Sequence, residues 1–145
     1  MATIFIDGQA GTTGIEIATR LRARSDLKLL SINEQQRKDP STREALFKQA
    51  DLAILCLPDE AAVSATELAA DHCRLLDAST AHRTHADWVY GLPERNADSR
   101  AAIANAQRVS NPGCYPQGFI LSVLPLIEAG LLHASTPLRC YAVSG

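Results

Sequence analysis

The chain has 145 residues, 46% hydrophobic and 21% charged, a balance near the average for soluble folded domains and far from disordered or collagen-like sequence. That length is one domain's worth and allows about 70% of the unfolded surface to be buried on folding. Fourteen Lys and Arg against sixteen Asp and Glu leave a formal charge of −2, so there is no broad positive field to draw nucleic acid or an anionic membrane.

In chain order, Ala2 to Ile6 is short and apolar, Asp7 to Gly14 is glycine-rich, and Ile15, Ala18 and Leu21 then recur at helical spacing. This predicts strand, tight turn, helix. Leu27 to Ile32 reads as a second strand, Ser41 to Ala50 as a helix, and Leu52 to Leu57 as a strand buried on both faces. Pro58 ends that strand, and Asp59 is expected to cap a helix from Glu60 to about His72. Arg74 to Asp77 is the next strand; a loop with Pro93, an alanine-rich helix near Ser99 to Ala106 and a strand at Arg108 to Ser110 follow. A long apolar helix comes after Asn111-Pro112-Gly113, ended by Gly130, with Pro125 expected to kink it because it cannot donate to the Leu121 carbonyl. Leu138 to Gly145 is a β-type run with nothing left to pair against, which gives the sequence the look of one cut short.

Strands alternating with helices predict an α/β fold, a doubly wound, Rossmann-like parallel sheet covered on both faces. Ligands in such sheets sit at the carboxyl ends of the strands, and GQAGTTG, LPDE and SNPGC all fall at that edge. The N-terminal stretch MATIFIDGQAG has no cationic segment, apolar run and cleavage site in succession, and no apolar run approaches about 18 residues. The expected location is cytoplasmic, with no membrane and no nucleic-acid partner.

Gly8-Gln9-Ala10-Gly11-Thr12-Thr13-Gly14 is a GxxGxxG variant of the dinucleotide fingerprint, in the required place between strand and helix. One glycine tolerates positive φ, the next lets backbone approach a pyrophosphate, and the last lets helix and strand pack tightly. Free amides and the helix dipole then attract phosphate. Glu34 lies where an acid holds the ribose 2′-hydroxyl of NAD, while Arg37 and Lys38 can neutralise the 2′-phosphate of NADP, so the residues leave the cofactor open.

Cys114 stands at the head of the long helix, where the macrodipole and unpaired amides favour a thiolate and an oxyanion formed beside it. Cys56, Cys73 and Cys140 read as small core hydrophobes. No CxxC pair or zinc spacing occurs, so neither metal nor disulfide framework is expected. None of His72, His82, His85 and His133 is tied by spacing to Cys114.

Taken together, GQAGTTG, AILCLPDEAA, LLDASTAHR, YGLPE and SNPGCYP resemble the shorter sequence type of the N-acetyl-γ-glutamyl-phosphate reductases. The layout is also similar to aspartate-semialdehyde dehydrogenase, but the GLPE and DASTAHR segments favour the first family. The resemblance implies NADPH-dependent reduction of N-acetyl-γ-glutamyl phosphate to the semialdehyde in arginine biosynthesis. Cys114 attacks the acyl carbon, phosphate leaves, and the thioester accepts hydride. It further implies that Gly8, Gly11, Thr12, Thr13 and Gly14 hold the pyrophosphate of NADP(H), that Leu57, Pro58 and Ser79 lie near the nicotinamide, and that Asn111 steadies the cysteine loop. Thr80, His82 and Arg83 read as a capped or salt-bridged loop, with Arg83 also a candidate to serve an anionic substrate.

By the same resemblance, residues 1–115 are the nucleotide-binding domain and 116–145 begin a substrate and dimerisation domain whose remainder, with the acid/base histidine, follows Gly145. A homo-oligomer is expected at full length, and the 145-residue chain alone is expected to be inactive. The alternatives are a reductase of an aspartyl or aminoadipyl phosphate, and a non-catalytic NADP-binding module.

Overall fold

The computed structural model describes residues 1–143. In order, the elements are β1 (Ala2–Asp7), α1 (Thr12–Arg22), β2 (Leu27–Leu30), a 3-10 turn (Glu34–Gln36), α2 (Pro40–Gln49), β3 (Leu52–Leu55), α3 (Asp59–Ala69), β4 (Arg74–Asp77), β5 (Val89–Tyr90), α4 (Ser99–Asn105), β6 (Arg108–Ser110) and α5 (Cys114–Glu128). All strand pairs are parallel, in one six-stranded sheet ordered β2-β1-β3-β4-β6-β5. The chain moves outward from β1 to β2 and returns past β1 to β3, so the strand order reverses between β1 and β3. A crevice opens at the carboxyl end of such a switch point.

Period-two alternation divides the core. Ile4, Ile6 and Ile54 face Ala18 and the partly buried Ile17 and Leu21 of α1. Phe5, Ala53, Leu55 and Leu75 face the opposite way, against Phe47 of α2 and Ala65 and Ala69 of α3. Small residues on α3 let it lie close to the sheet, and Phe47 meets Phe5 edge-on, with ring centroids 5.2 Å apart.

The register aligns the strand ends that carry the site. Asp7 lies opposite Leu55, Leu55 opposite Asp77, and Asp77 opposite Ser110. The next residues continue the row, since the amide of Cys56 donates to Asp7 O, that of Ala78 to Leu55 O, and that of Asn111 to Asp77 O. Gly8, Cys56, Ala78 and Asn111 therefore begin four neighbouring loops along one rim.

Three expectations are corrected. The strands beginning at Leu27 and Leu52 stop at Leu30 and Leu55, two residues early; after β3, Cys56 and Leu57 become part of the crevice wall. Asp59 is the first residue of α3 and Pro58 its N-cap; the Asp59 carboxylate is committed to the backbone amide and hydroxyl of Thr80. The run from Leu138 forms no strand as far as Val143, and its last two residues lie outside the described ones. The short edge strand β5 has no counterpart in the sequence reading. α5 continues through Pro125 to Glu128, and Gly130 follows its C-cap with φ +70°, the left-handed conformation glycine tolerates.

Candidate functional site

Two of the glycines in GQAGTTG are required by the backbone. Gly8 has φ +91°, and a Cβ there would meet the carbonyl oxygen of Cys56 at 2.2 Å. A Cβ on Gly14 would fall 2.3 Å from Gly8 O, so this position lets the first turn of α1 rest on the loop. Gly11 caps α1 with no side-chain bond, and its surroundings are open. The first helical amide with a protein acceptor is that of Ile15, which donates to Gly11 O. The amides of Thr12, Thr13 and Gly14 have no partner among the described residues, and no acidic side chain occupies that turn. A phosphate fits there for two reasons, free donors and the positive end of the dipole.

Two cavities meet at this loop. One, of about 840 Å³, runs from Gly8 past Glu34, Arg37 and Lys38 to Arg43. All three residues weighed for cofactor choice thus line one cleft; Arg37 approaches Glu34 at 3.9 Å. Arg43, which sequence reasoning missed, reaches back from α2 to the end of β1, its Nη2 lying 2.6 Å from Asp7 Oδ2. Burial raises the Asp7 pKa, and the Arg43 bonds act against that rise. No spacing rule links positions 7 and 43, since the pair exists only once α2 has packed on the sheet.

The second cavity, of about 850 Å³, is lined by Gly11, Thr12 and Thr13 on one side and by Arg83, Asn111 and Cys114 on the other. Cys56, Leu57 and Pro58 form wall in both cavities. Cys114 is the first residue of α5 and is exposed. Gly113 caps the helix, and the first amide to bond is that of Gln117, to Gly113 O, which leaves the amides of Cys114 and Tyr115 without a partner among the described residues. An oxyanion formed beside the sulfur would find donors already in place.

Arg83 is held by backbone: its Nε donates to Asn111 O at 3.1 Å and its Nη2 to Ala78 O at 3.4 Å. Among the described residues no carboxylate lies within ion-pair distance of it, which leaves a positioned guanidinium beside Cys114. Ser79 is buried and does not line the cavity; its hydroxyl is turned to Asp77 Oδ2 at 2.6 Å, and Ala78 takes the place in the wall. Asn111 lines the cavity beside Cys114. No histidine lines either cavity. His82 is buried against Asp77, and His72, His85 and His133 are exposed.

The other thiols differ from expectation in two cases. Cys73 is buried, and burial pushes it up to about 11. Cys56 is half-buried in the shared wall; burial, with the Asp7 and Asp77 carboxylates, also pushes it up to about 11. Cys140 is exposed rather than a core hydrophobe, because the run that carries it does not join the sheet. Among the described residues no three His, Cys, Asp or Glu gather into a metal-binding group, and no helix is long and apolar enough to cross a membrane.

N-acetyl-gamma-glutamyl-phosphate reductase 2 of Nostoc sp. is 54% identical over 143 residues, spanning 98% of this chain and 44% of its own length. The protein of the same name from Pseudomonas putida is 54% identical over 145 residues and is covered over 46% of its length. The chain thus spans less than half the length of these relatives. In fold it is similar to aspartate semialdehyde dehydrogenase from Francisella tularensis, with TM-score 0.65 and 19% identity over 90% of this chain and 42% of that one. Residues 32–105, from just after β2 through α4, match the model of the semialdehyde dehydrogenase NAD binding domain. The chain belongs to the semialdehyde dehydrogenase family, whose NAD-binding domain it carries.

Proposed function

We propose that this chain is the nucleotide-binding half and nucleophile of an NADPH-dependent acyl-phosphate reductase, acting on N-acetyl-γ-glutamyl phosphate in arginine biosynthesis. The observation that carries the reading is one cavity shared by the free amides of the glycine loop, the Cys114 sulfur and the unpaired Arg83 guanidinium. Cofactor phosphate and reacting carbon can then lie side by side along the rim.

The substrate phosphate faces Arg83, a planar fork suited to an oxyanion, while the acyl carbon lies over Cys114. Attack by the thiolate forms the S–C bond. The resulting oxyanion is held by the free amides of Cys114 and Tyr115, and its collapse breaks the C–O bond and expels phosphate. NADPH, when bound, supplies the hydride that reduces the thioester to the aldehyde level, and breaking of the S–C bond then releases the aldehyde and returns the Cys114 thiolate. Thr12, Thr13 and Gly14 amides would hold its pyrophosphate, and Leu57 and Pro58 would shape the passage towards the nicotinamide. Arg37 and Lys38 in the first cavity support NADPH over NADH, because a 2′-phosphate needs cationic partners. Asn111 keeps the cysteine loop in register through its backbone bonds to Asp77 and Arg83.

We read α5 and the residues after it as the start of the substrate and dimerisation domain. No residue of α5 is buried, and Phe119, Leu121, Leu126 and Leu131 lie exposed along and just past it, which supports a further cover in the assembled protein. The test uses the full-length protein in the reverse direction: aldehyde, inorganic phosphate and NADP⁺ give acyl phosphate and NADPH, followed by absorbance. N-acetylglutamate semialdehyde should be oxidised with an absolute need for phosphate or arsenate, and Cys114→Ser should lower kcat by at least about a thousandfold. Turnover that survives that substitution excludes Cys114 as nucleophile.

A further inference from the structure

Beneath the Cys114 cavity lies a buried polar cluster with no direct access to substrate. Asp77, at the end of β4, is 0% exposed, and no Lys or Arg pairs with it among the described residues. Its carboxylate is satisfied by three donors: the Ser79 amide on Oδ1 at 3.0 Å, and the Ser79 hydroxyl and His82 Nδ1 on Oδ2, each at 2.6 Å. An ionised carboxylate only accepts, so the imidazole gives its Nδ1–H to Asp77. The His82 ring also lies flat on Trp88, with centroids 4.1 Å apart and planes 12° from parallel. Ring plane and ring nitrogen are therefore both fixed.

The residue after this anchored histidine is Arg83. Its guanidinium spans two rim loops, bonding Ala78 O and Asn111 O, and its Nη1 lies 2.6 Å from where a Cβ on Gly113 would stand. Gly113 is the N-cap of the helix that Cys114 begins. We propose that the Asp77–His82 pair, seated on Trp88, is a positioning element that sets the Arg83 guanidinium against the Cys114 loop. His82 would act on anion recognition through Arg83, without touching substrate. For its effect on turnover, this rests on the acyl-phosphate reading above.

The experiment measures, in the full-length protein, the rates at which Cys114 is alkylated by iodoacetate, an anion, and by iodoacetamide, its neutral analogue. Peptide mass mapping assigns the modified sulfur. Both reagents meet the same thiol with the same accessibility, so the ratio reports the cationic field at Cys114 and not the integrity of the fold. Arg83→Ala gives the ratio without the guanidinium. His82→Leu should lower the wild-type ratio towards that value, by about threefold or more. His82→Asn, whose amide N–H can replace Nδ1–H, should restore it. A wild-type ratio in His82→Leu, or a loss in His82→Asn as large as in His82→Leu, overturns the proposal. Where a circular-dichroism melt shows that His82→Leu does not fold, His82→Phe takes its place; its ring can keep the stack on Trp88 but has no donor for Asp77, and a retained ratio there overturns the proposal equally. In turnover, His82→Leu should raise KM for inorganic phosphate about tenfold while changing kcat less. Absence of wild-type turnover with every acyl phosphate tried sinks the reductase reading and leaves the alkylation test standing. An unchanged ratio in an active enzyme sinks the role of His82 alone.

Discussion

Cys56 and Cys114 share a cavity wall, yet their sulfurs stand in different surroundings. Cys114 is exposed at a helix head, whereas Cys56 is half-buried near the Asp7 and Asp77 carboxylates and is pushed up to about 11. At pH 8 only about one Cys56 in a thousand is then thiolate, and the thiolate is the species that reacts. Iodoacetamide at that pH should label Cys114 and leave Cys56 and Cys73 unmodified until denaturant is added, as mass mapping of native and unfolded samples would record. Rapid native labelling of Cys56 would contradict its burial. The place of Cys114 was legible because Asn111-Pro112-Gly113 and Pro116 mark a helix start in the sequence itself. The companions Arg43 for Asp7, Thr80 for Asp59 and Asp77 for His82 were not, since side chains from separate loops meet only through tertiary packing.

At the level of elements, α2 shows how local chemistry fixes a boundary. Asp39 caps it, its Oδ2 accepting from the Thr42 amide at 2.8 Å and from the hydroxyls of Ser41 and Thr42 at 2.6 Å each, and Pro40 takes the first helical position. The Ser41 hydroxyl first, then Thr42, holds the Asp39 carboxyl down from 3.8 to about 2. A folded pKa below the unfolded one means the stabilisation is fully present above pH 3.8 and is lost as pH falls through about 2. Asp39→Ala should therefore lower the urea midpoint at pH 6, with the gap to wild type closing across that window. A gap independent of pH would show that the charge contributes nothing. The sequence reading placed this helix within a residue at each end, and it placed β4 and β6 without error. β5, two residues between turns, is too short for any periodicity to reveal, and it is a strand only because β6 is beside it.

Across the molecule, the aromatic contact between α2 and the sheet ties the cofactor cleft to the core. Phe47 is completely buried and lies one turn beyond Arg43 on the helix that supplies one wall of that cleft. Phe47→Ala should cost about 3–5 kcal/mol, read as a lower denaturant midpoint with unfolding still cooperative. A loss under about 1 kcal/mol would mean that the two rings are not packed as described. The parallel, doubly wound architecture was legible because helical and strand periods alternate along the chain; its exact strand order was not, since period carries no information on which neighbour a strand chooses. One consequence of the shared wall concerns length. Gly11, Cys56, Leu57 and Pro58 line both cavities, so the two abut along one sill. A molecule confined to either end meets half of the floor, while one long enough to drape over the sill engages both, and its second half docks at the cost of an intramolecular step. On the proposed function, the two ends would then act as a ruler, with a joined dinucleotide expected to bind more tightly than its separate mononucleotides.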